Sequence, residues 1–494
     1  MIFLNKTHSG KYNLLMNYIL LAANFMFPLI TYPYVTRVLG AEGLGTISFA
    51  NSVANYFAAI ATFGITSYAV RTCAKIKNDK IGFAKTAGEL FTANAVTTAI
   101  SVILFAITIL TIPTFRSQWK FMAIFGCNFA LEFMGVNWFY TATEQFTYIT
   151  IRNIVYKSLS LICVFLWVKD SSDVLIYAGI TVFFGIGVNI VNYIHARKSI
   201  PIRFSPTSKF SKHYHKTKWF FLQSVALTIL SNMDVSMLGF LSTNTHVGNY
   251  EVALKLKLLL SSLVSSLGNV FLPRLSRSYE QKQMDAFWNT VHKSLRYNCV
   301  ISLPMMGYFW ISADGIIKVF CGNDYIYSAD ILRILMVAVF LVGISTVTGI
   351  QILLSIDKEK GLFWSLIAGS AVNFALNLCI VPVLHGMGAA ITTVCAEAVI
   401  LAFQLWVIKK QGIRLPIGAI LKKPLVGAFT AFLTTLIVSE IWPLSGICEL
   451  LVSGLFFAGV YGTVLWLLKE EIFMEIIHMI FGRKNDRRKN EGRK

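Results

Sequence analysis

Runs of about twenty apolar residues recur along the whole chain, and this spacing constrains the fold more than any other feature, because twenty helical residues cover the hydrocarbon core of a bilayer. The runs fall near residues 12–36, 45–69, 90–112, 119–141, 151–168, 174–195, 219–241, 249–273, 294–312, 331–354, 361–383, 387–408, 424–441 and 446–468. They predict an all-α polytopic membrane protein with about 14 transmembrane helices. A sequence that is 55% hydrophobic and 14% charged has too little polar surface to fold as a soluble domain around so many runs. The first run follows Lys6 and Lys11, exceeds a signal-peptide core in length and lacks a small-x-small site before Arg37, so it is expected to be a retained helix.

Lys and Arg set the expected orientation. Arg71, Lys75, Lys77, Lys80 and Lys85 fill the second connection, and Arg197, Lys198, Arg203, Lys209, Lys212, Lys216 and Lys218 fill the sixth. The eighth and twelfth connections and the tail, ending RKNDRRKNEGRK, are basic too, whereas odd-numbered connections carry only Arg37, Arg116, Lys120, Lys169 and Lys318, with Arg333 at a helix start. This alternation expects both termini of a multi-pass membrane protein in the cytoplasm. A charge belt on anionic lipid accounts for most of the net charge of +20, so no nucleic-acid partner is expected.

The basic connection at 196–218 separates an N-terminal six-helix lobe, residues 1–195, from a second six-helix lobe, 219–410, followed by two further helices, 424–468, and a basic tail, 469–494. An offset of 203 residues sets Gly248-Asn-Tyr-Glu-Val-Ala253 on Gly45-Thr-Ile-Ser-Phe-Ala50, each at the turn into the second helix of its half. The two lobes are therefore expected to be pseudo-symmetric, as parallel repeats are.

Several classes are excluded. No connection is long enough for a soluble catalytic domain, and there is no GxxxxGK[ST] phosphate loop. The eight cysteines are scattered singly without a CxxC or Cys/His cluster, so neither a metal centre nor a disulfide framework is expected. No catalytic residue and no cofactor is expected.

Polar residues concentrate in the hairpin from Pro28 to Gly64. An apolar segment broken by Pro28 and Pro33 leads to a short polar turn with Arg37, Gly40, Glu42, Gly43 and Gly45, then to a segment holding Ser48, Asn51, Ser52 and Asn55. Such residues are costly against lipid, so they are expected to face a hydrated cavity.

The run PLITYPYVTRVLGAEGLGTISFANS resembles the polysaccharide transporter family. So do Trp138-Phe-Tyr-x-x-x-Glu144-x-x-x-Tyr148-Ile149, Asn232-x-Asp234-x-x-Met237-Leu-Gly239 and Gly322-x-x-Tyr325-x-x-x-Ala329-x-x-Leu332-Arg-Ile. That family includes Wzx-type flippases within the multidrug/oligosaccharidyl-lipid/polysaccharide exporter superfamily. One departure is visible: Thr141 and Ala142 stand where such proteins often have Gln-Gly, and no role is carried over to them. The resemblance implies an undecaprenyl-diphosphate-linked oligosaccharide, an O-antigen or capsule repeat unit, moved between leaflets by alternating access. It also implies partnership with membrane lipids and other polysaccharide assembly proteins.

A diphosphate cargo needs cations, and Arg37, Lys255 and Lys257 are the candidates; the alternative is that Arg37 and one of the two lysines snorkel to the interface. Lys255 and Lys257 are about 200° apart round a helix, so they are not expected to share one cavity. For sugars the candidates are Asn51, Asn55, Asn232 and the ring of Trp138, among a wider set with Asn24, Asn128, Asn137, Asn189, Asn192, Gln223, Asn269, Gln351, Asn373 and Asn377. The alternative for any one amide is an interhelical hydrogen bond, and for the tryptophan an interfacial anchor. Three acids within apolar runs, Asp234, Glu132 and Glu397, are candidates for coupling to H⁺ or Na⁺, or else for static packing. An ion pair of Asp234 with Lys255 or Lys257 is a further possibility at similar depth.

Two other readings stand beside the flippase. A cation-coupled multidrug exporter of the same superfamily would take a cationic cargo. A membrane saccharide polymerase would need a large outward loop, and Asp314, Asp324 and Asp330 are too far apart for a metal motif.

Overall fold

All fourteen apolar runs land on helix, and every regular element among the described residues is helical. The computed structural model describes residues 10–200, 204, 210–266, 268–413, 415–441, 446–475 and 477. Lys6, Lys11, Arg203, Lys209, Lys212, Lys216, Asn269 and the tail beyond 477 lie outside the described residues and side chains.

The helices are α1 (Gly10–Thr62), α2 (Ile65–Lys75), α3 (Lys80–Thr111), α4 (Pro113–Ser117), α5 (Trp119–Ala130), α6 (Asn137–Ala142), α7 (Phe146–Trp167), α8 (Val174–Ser199), α9 (Phe210–Leu241), α10 (Asn244–Ser266), α11 (Gly268–Glu280), α12 (Met284–Ile311), α13 (Ala313–Phe320), α14 (Tyr327–Ser345), α15 (Glu359–Lys410), α16 (Ile417–Ile441) and α17 (Gly446–Leu467). Nine helical stretches among the described residues are long and apolar enough to cross a membrane, or eleven if two bent pairs each count as one span. Two of the nine, Tyr18–Lys75 with 58 residues and Glu359–Lys410 with 52, each hold two apolar runs. Either is roughly 80 Å long at the helical rise, over twice the hydrocarbon thickness, so each is two crossings joined end to end.

The joints are single residues. In α1 the polar turn expected around residues 37–45 reduces to Gly40, at φ 68° and ψ 176°. That region is open to glycine because it has no Cβ, so the helix resumes at once. Pro28 and Pro33 lie inside α1 and do not break it. In α15 the joint is His385, at φ 47° and ψ −124°, a conformation costly for a residue with a side chain.

The chain divides into two compact units, Met1–Gly248 and Asn249–Lys494. In the first, α9 packs on α1 although the charge pattern assigns it to the second lobe. Asn55 donates to Asn232 at 3.0 Å, Tyr56 and Ser236 share a hydrogen bond of 2.8 Å, and Phe63 stacks on Phe221 with ring centroids 4.4 Å apart. Phe83, Phe91, Phe139 and Tyr140 centre the core formed by α2, α3, α6, α7 and α8.

The core of the second unit is built from α11, α12, α14, α16 and α17, around Phe287, Leu295, Leu353 and Phe457. Both helices outside the repeat belong to it. Tyr461 of α17 donates to the Val300 carbonyl at 2.9 Å, and Tyr308 of α12 donates to the Leu450 carbonyl at 2.6 Å. Lipid supplies no hydrophobic drive for helices to associate, so such bonds, each worth about 1 kcal/mol, and close packing hold them.

Candidate functional site

A break in the fourth apolar run creates the site. The run expected as one helix over 119–141 is α5, a 3-10 turn at Glu132–Gly135 and α6, separated by Val136 at φ 36°. Non-helical backbone at membrane depth is tolerated where it borders a hydrated space. Here it borders a cavity of about 690 Å³ within the first unit.

Six asparagines line this cavity: Asn51 and Asn55 from α1, Asn128 from α5, Asn137 from α6, Asn189 from α8 and Asn232 from α9. Thr62, Thr66, Ser224, Thr228 and Ser231 add hydroxyls, Phe125 and Phe129 add ring faces, and Glu132 is the one carboxylate in the wall. Among the described residues the wall contains no Lys or Arg. Such a surface offers paired donors and acceptors to a neutral polyhydroxylated ligand and one carboxylate to a cation.

Three of the four sugar candidates, Asn51, Asn55 and Asn232, are thus brought together with the acid Glu132. The fourth is not: Trp138 is 3% exposed and packs in the core with Ile65, Phe83 and Phe139. Its ring has no open face for a sugar, because the break at Val136 turns it away from the cavity. Asp234 is half-buried and lies about 200° round α9 from Asn232, outside the cavity wall. Arg37 is exposed, three residues before the Gly40 joint.

The other candidates meet in the second unit. Lys257 of α10 lies 3.8 Å from Glu397 of α15, both largely buried, while Lys255 pairs with Glu251 one turn earlier at 3.1 Å. The two lysines do face differently: Lys255 is half-exposed and Lys257 is buried. Along α15, Thr392 donates to Asn377 at 2.6 Å, and Tyr250 and Thr393 share a bond of 3.1 Å, so these amides and hydroxyls serve interhelical contacts. No group of three or more potential metal ligands occurs among the described residues.

Sequence reasoning missed two cations, both on α7 inside the run at 151–168. Arg152 is 7% exposed and donates to Asn192, whose amide in turn donates to the Gly135 carbonyl at 2.8 Å and to Asn137 at 3.1 Å. Arg152 therefore orients the backbone break and one asparagine of the cavity wall through a single intermediary. Lys157 donates to Asn24 of α1 at 2.7 Å. Their signal in sequence was a charged side chain within an apolar run, the same signal that singled out the acids.

The all-α fold, its two-crossing helices and a cavity lined by amides and hydroxyls define a polytopic membrane protein with a polar interior. Residues 12–279 match the family described as polysaccharide biosynthesis protein, and the chain belongs to that family. It is 24% identical over 419 residues to an Escherichia coli K12 protein named "Putative O-antigen transporter", covering 82% of this chain and 99% of that one. Among solved structures, lipid II flippase MurJ in an inward closed conformation superposes with a TM-score of 0.77 at 16% identity, over 95% of this chain and 99% of MurJ. An inward-facing multidrug resistance MATE family transporter of the MOP superfamily superposes with a TM-score of 0.61 at 14% identity, over 82% of this chain and 98% of the transporter. These two likenesses define the fold.

Proposed function

We propose that this protein is a flippase for an oligosaccharide carried on undecaprenyl diphosphate, working by alternating access in the bacterial cytoplasmic membrane with both termini in the cytoplasm. The glycan is an O-antigen or capsule repeat unit, used with other membrane proteins of surface polysaccharide assembly. The observation that carries this reading is the cavity walled by six asparagines and one carboxylate, whose polarity at membrane depth suits a sugar and serves no purpose against lipid. The name of the Escherichia coli relative supports the same class of cargo.

Energy is drawn from an H⁺ or Na⁺ gradient, with Asp234, Glu132 and Glu397 as the coupling acids. For Glu397 the reading is supported by its position 3.8 Å from Lys257. Its carboxylate balances Lys257, so binding a proton there leaves Lys257 without a countercharge and able to accept the diphosphate. Arg37 and Lys255 serve the diphosphate at other points of the path.

One observation favours a second reading. A cavity with an acid, two phenylalanines and no cation among its described lining residues also suits an apolar cation, as a multidrug exporter requires. The deciding experiment is to extract polyprenyl-diphosphate lipids from cells lacking the protein. Accumulation of a complete oligosaccharide unit, with loss of surface glycan, is expected. No accumulation, with heightened sensitivity to cationic drugs, would favour the exporter.

A further inference from the structure

Helices α1 and α7 run side by side in one direction. Thr150 donates to the Met16 carbonyl at 3.0 Å near one end, and Tyr34 donates to the Val168 carbonyl at 2.6 Å near the other. Between these ties Lys157 donates to the Asn24 side-chain oxygen at 2.7 Å, with its ammonium 6.0 Å from the Phe27 ring centroid. Lys157 is seven residues beyond Thr150 and eleven before Val168, or about 10 and 16 Å along the axis. The ammonium is therefore anchored near the middle of the bilayer.

Two facts make that position unusual. First, no Asp or Glu oxygen among the described residues lies within 4.0 Å of Lys157, whose hydrogen-bond partner is a neutral amide. Second, half-buried Lys157 stands off the apolar stripe of its own helix, and its bond to the exposed Asn24 is open to an approaching ligand. The exposed apolar stripe of α7 is Ile151, Val155, Leu159, Ile162 and Leu166, and Lys157 lies about 200° round the helix from Val155 and Leu159. A lysine at this depth is costly and marks a path for charge rather than a contact with lipid.

We propose that Lys157 and Asn24 form the mid-membrane subsite for the phosphate groups of a lipid-linked diphosphate. This rests on the flippase reading and deepens it. The ammonium keeps two further N–H donors beyond its bond to Asn24, and the Asn24 amide adds its own, so together they present a charged, multi-donor face to phosphate oxygens. Ordinary phospholipid phosphates stay at the interface, more than a helix turn away from Lys157 at either end. A phosphate reaches the middle of the bilayer only while crossing it. The division of labour is then physical: amides and Glu132 hold the glycan, and the seam between α1 and α7 holds the diphosphate.

The test uses the full-length protein in nanodiscs and three probes: geranylgeranyl diphosphate, geranylgeraniol and phosphatidylglycerol. Wild type should bind the diphosphate at least about tenfold more tightly than the alcohol, as a charge-assisted contact requires. Lys157→Gln should remove that preference, and Lys157→Arg should keep most of it. Asn24→Asp, which supplies the missing countercharge, should raise the unfolding temperature and abolish diphosphate binding, and it decides the matter should Lys157→Gln not fold. Diphosphate binding unchanged in Asn24→Asp and Lys157→Gln overturns the subsite while leaving the flippase reading intact. Equal competition by phosphatidylglycerol identifies a headgroup site and also overturns the proposal. Failure of wild type to prefer the diphosphate over the alcohol overturns both the subsite and the cargo.

Discussion

Gly45 and Gly248 pack reciprocally. A Cβ on Gly45 would lie 1.7 Å from the Asn244 carbonyl oxygen, and a Cβ on Gly248 would lie 1.9 Å from the Ala41 carbonyl oxygen. The offset of 203 residues that aligns the sequence repeat carries Ala41 to Asn244 and Gly45 to Gly248. Each glycine thus meets the counterpart of the residue four positions before itself, the signature of a local two-fold relation. Asn244 adds a hydrogen bond to Thr46 at 2.9 Å.

Because the obstructing atoms are backbone, the contact cannot yield by a rotamer change. Gly45→Ala and Gly248→Ala should each destabilise the protein by about 2 kcal/mol or more, the cost of overpacking. Gly179→Ala, which meets nothing within 4 Å, should be neutral. Thermal unfolding of the three variants in detergent measures the contrast.

The cavity wall predicts a graded effect on transport. Asn51→Leu and Asn189→Leu each remove one polar partner for a desolvated sugar hydroxyl and should lower glycan export about tenfold at unchanged protein level. Glu132→Gln keeps shape and an acceptor oxygen but removes the titratable acid, so it should abolish the gradient-dependent part of export. Quantifying surface glycan against membrane protein abundance checks both.

For the Lys257–Glu397 pair, removing Glu397 takes away the carboxylate beside the buried Lys257 ammonium. Glu397→Leu alone should cost about 3–5 kcal/mol, whereas adding Lys257→Met should recover most of that. Unfolding measurements on the double-mutant cycle test the coupling. Glu397→Gln should also make glycan export insensitive to collapse of the proton gradient.

Arg37 and Asp234 test the remaining roles. Arg37→Ala should impair export at normal protein level, and Arg37→Lys should retain part of it, since lysine keeps the charge but loses bidentate geometry. Asp234→Asn should abolish gradient-dependent transport. Flux into proteoliposomes under imposed ion gradients would separate these effects.

Residues 471–475 form a helical turn after α17, held to α12 by Arg296–Glu471 and by Lys293–Glu475 at 2.6 Å. The hydrogen bond from Arg296 holds the Glu471 carboxyl below the usual glutamate range. A depressed folded value means that the contribution is present above the unfolded value, about 4.3, and is lost as pH falls through the folded one. Proteolytic release of the tail should therefore accelerate only below about pH 4, and Glu471→Gln should be equally labile at neutral pH.

The helical crossings were legible in the sequence because lipid imposes a length and an apolarity on each of them. Six of the polar residues singled out within apolar runs, Asn51, Asn55, Asn128, Asn137, Asn189 and Asn232, do share one cavity. Trp138 was misassigned because its pattern is identical for an interfacial, a sugar-facing and a core ring; only the αL turn at Val136 decides among them. Packing of α9 on α1 was invisible because Lys and Arg report which side a connection lies on, not which helix a helix touches.

By itself the sequence determined that this is an all-helical membrane protein with a repeat at an offset of 203 residues and polar groups that lipid would not tolerate. The physical reason is that bilayer thickness and desolvation act on each segment separately. Tertiary structure alone decided that the break at Glu132–Gly135 borders a cavity lined by six asparagines, that Lys257 meets Glu397, and that Lys157 meets Asn24. Those are pairings between distant residues, and the free energy that selects them comes from close packing and hydrogen bonds that no local pattern encodes.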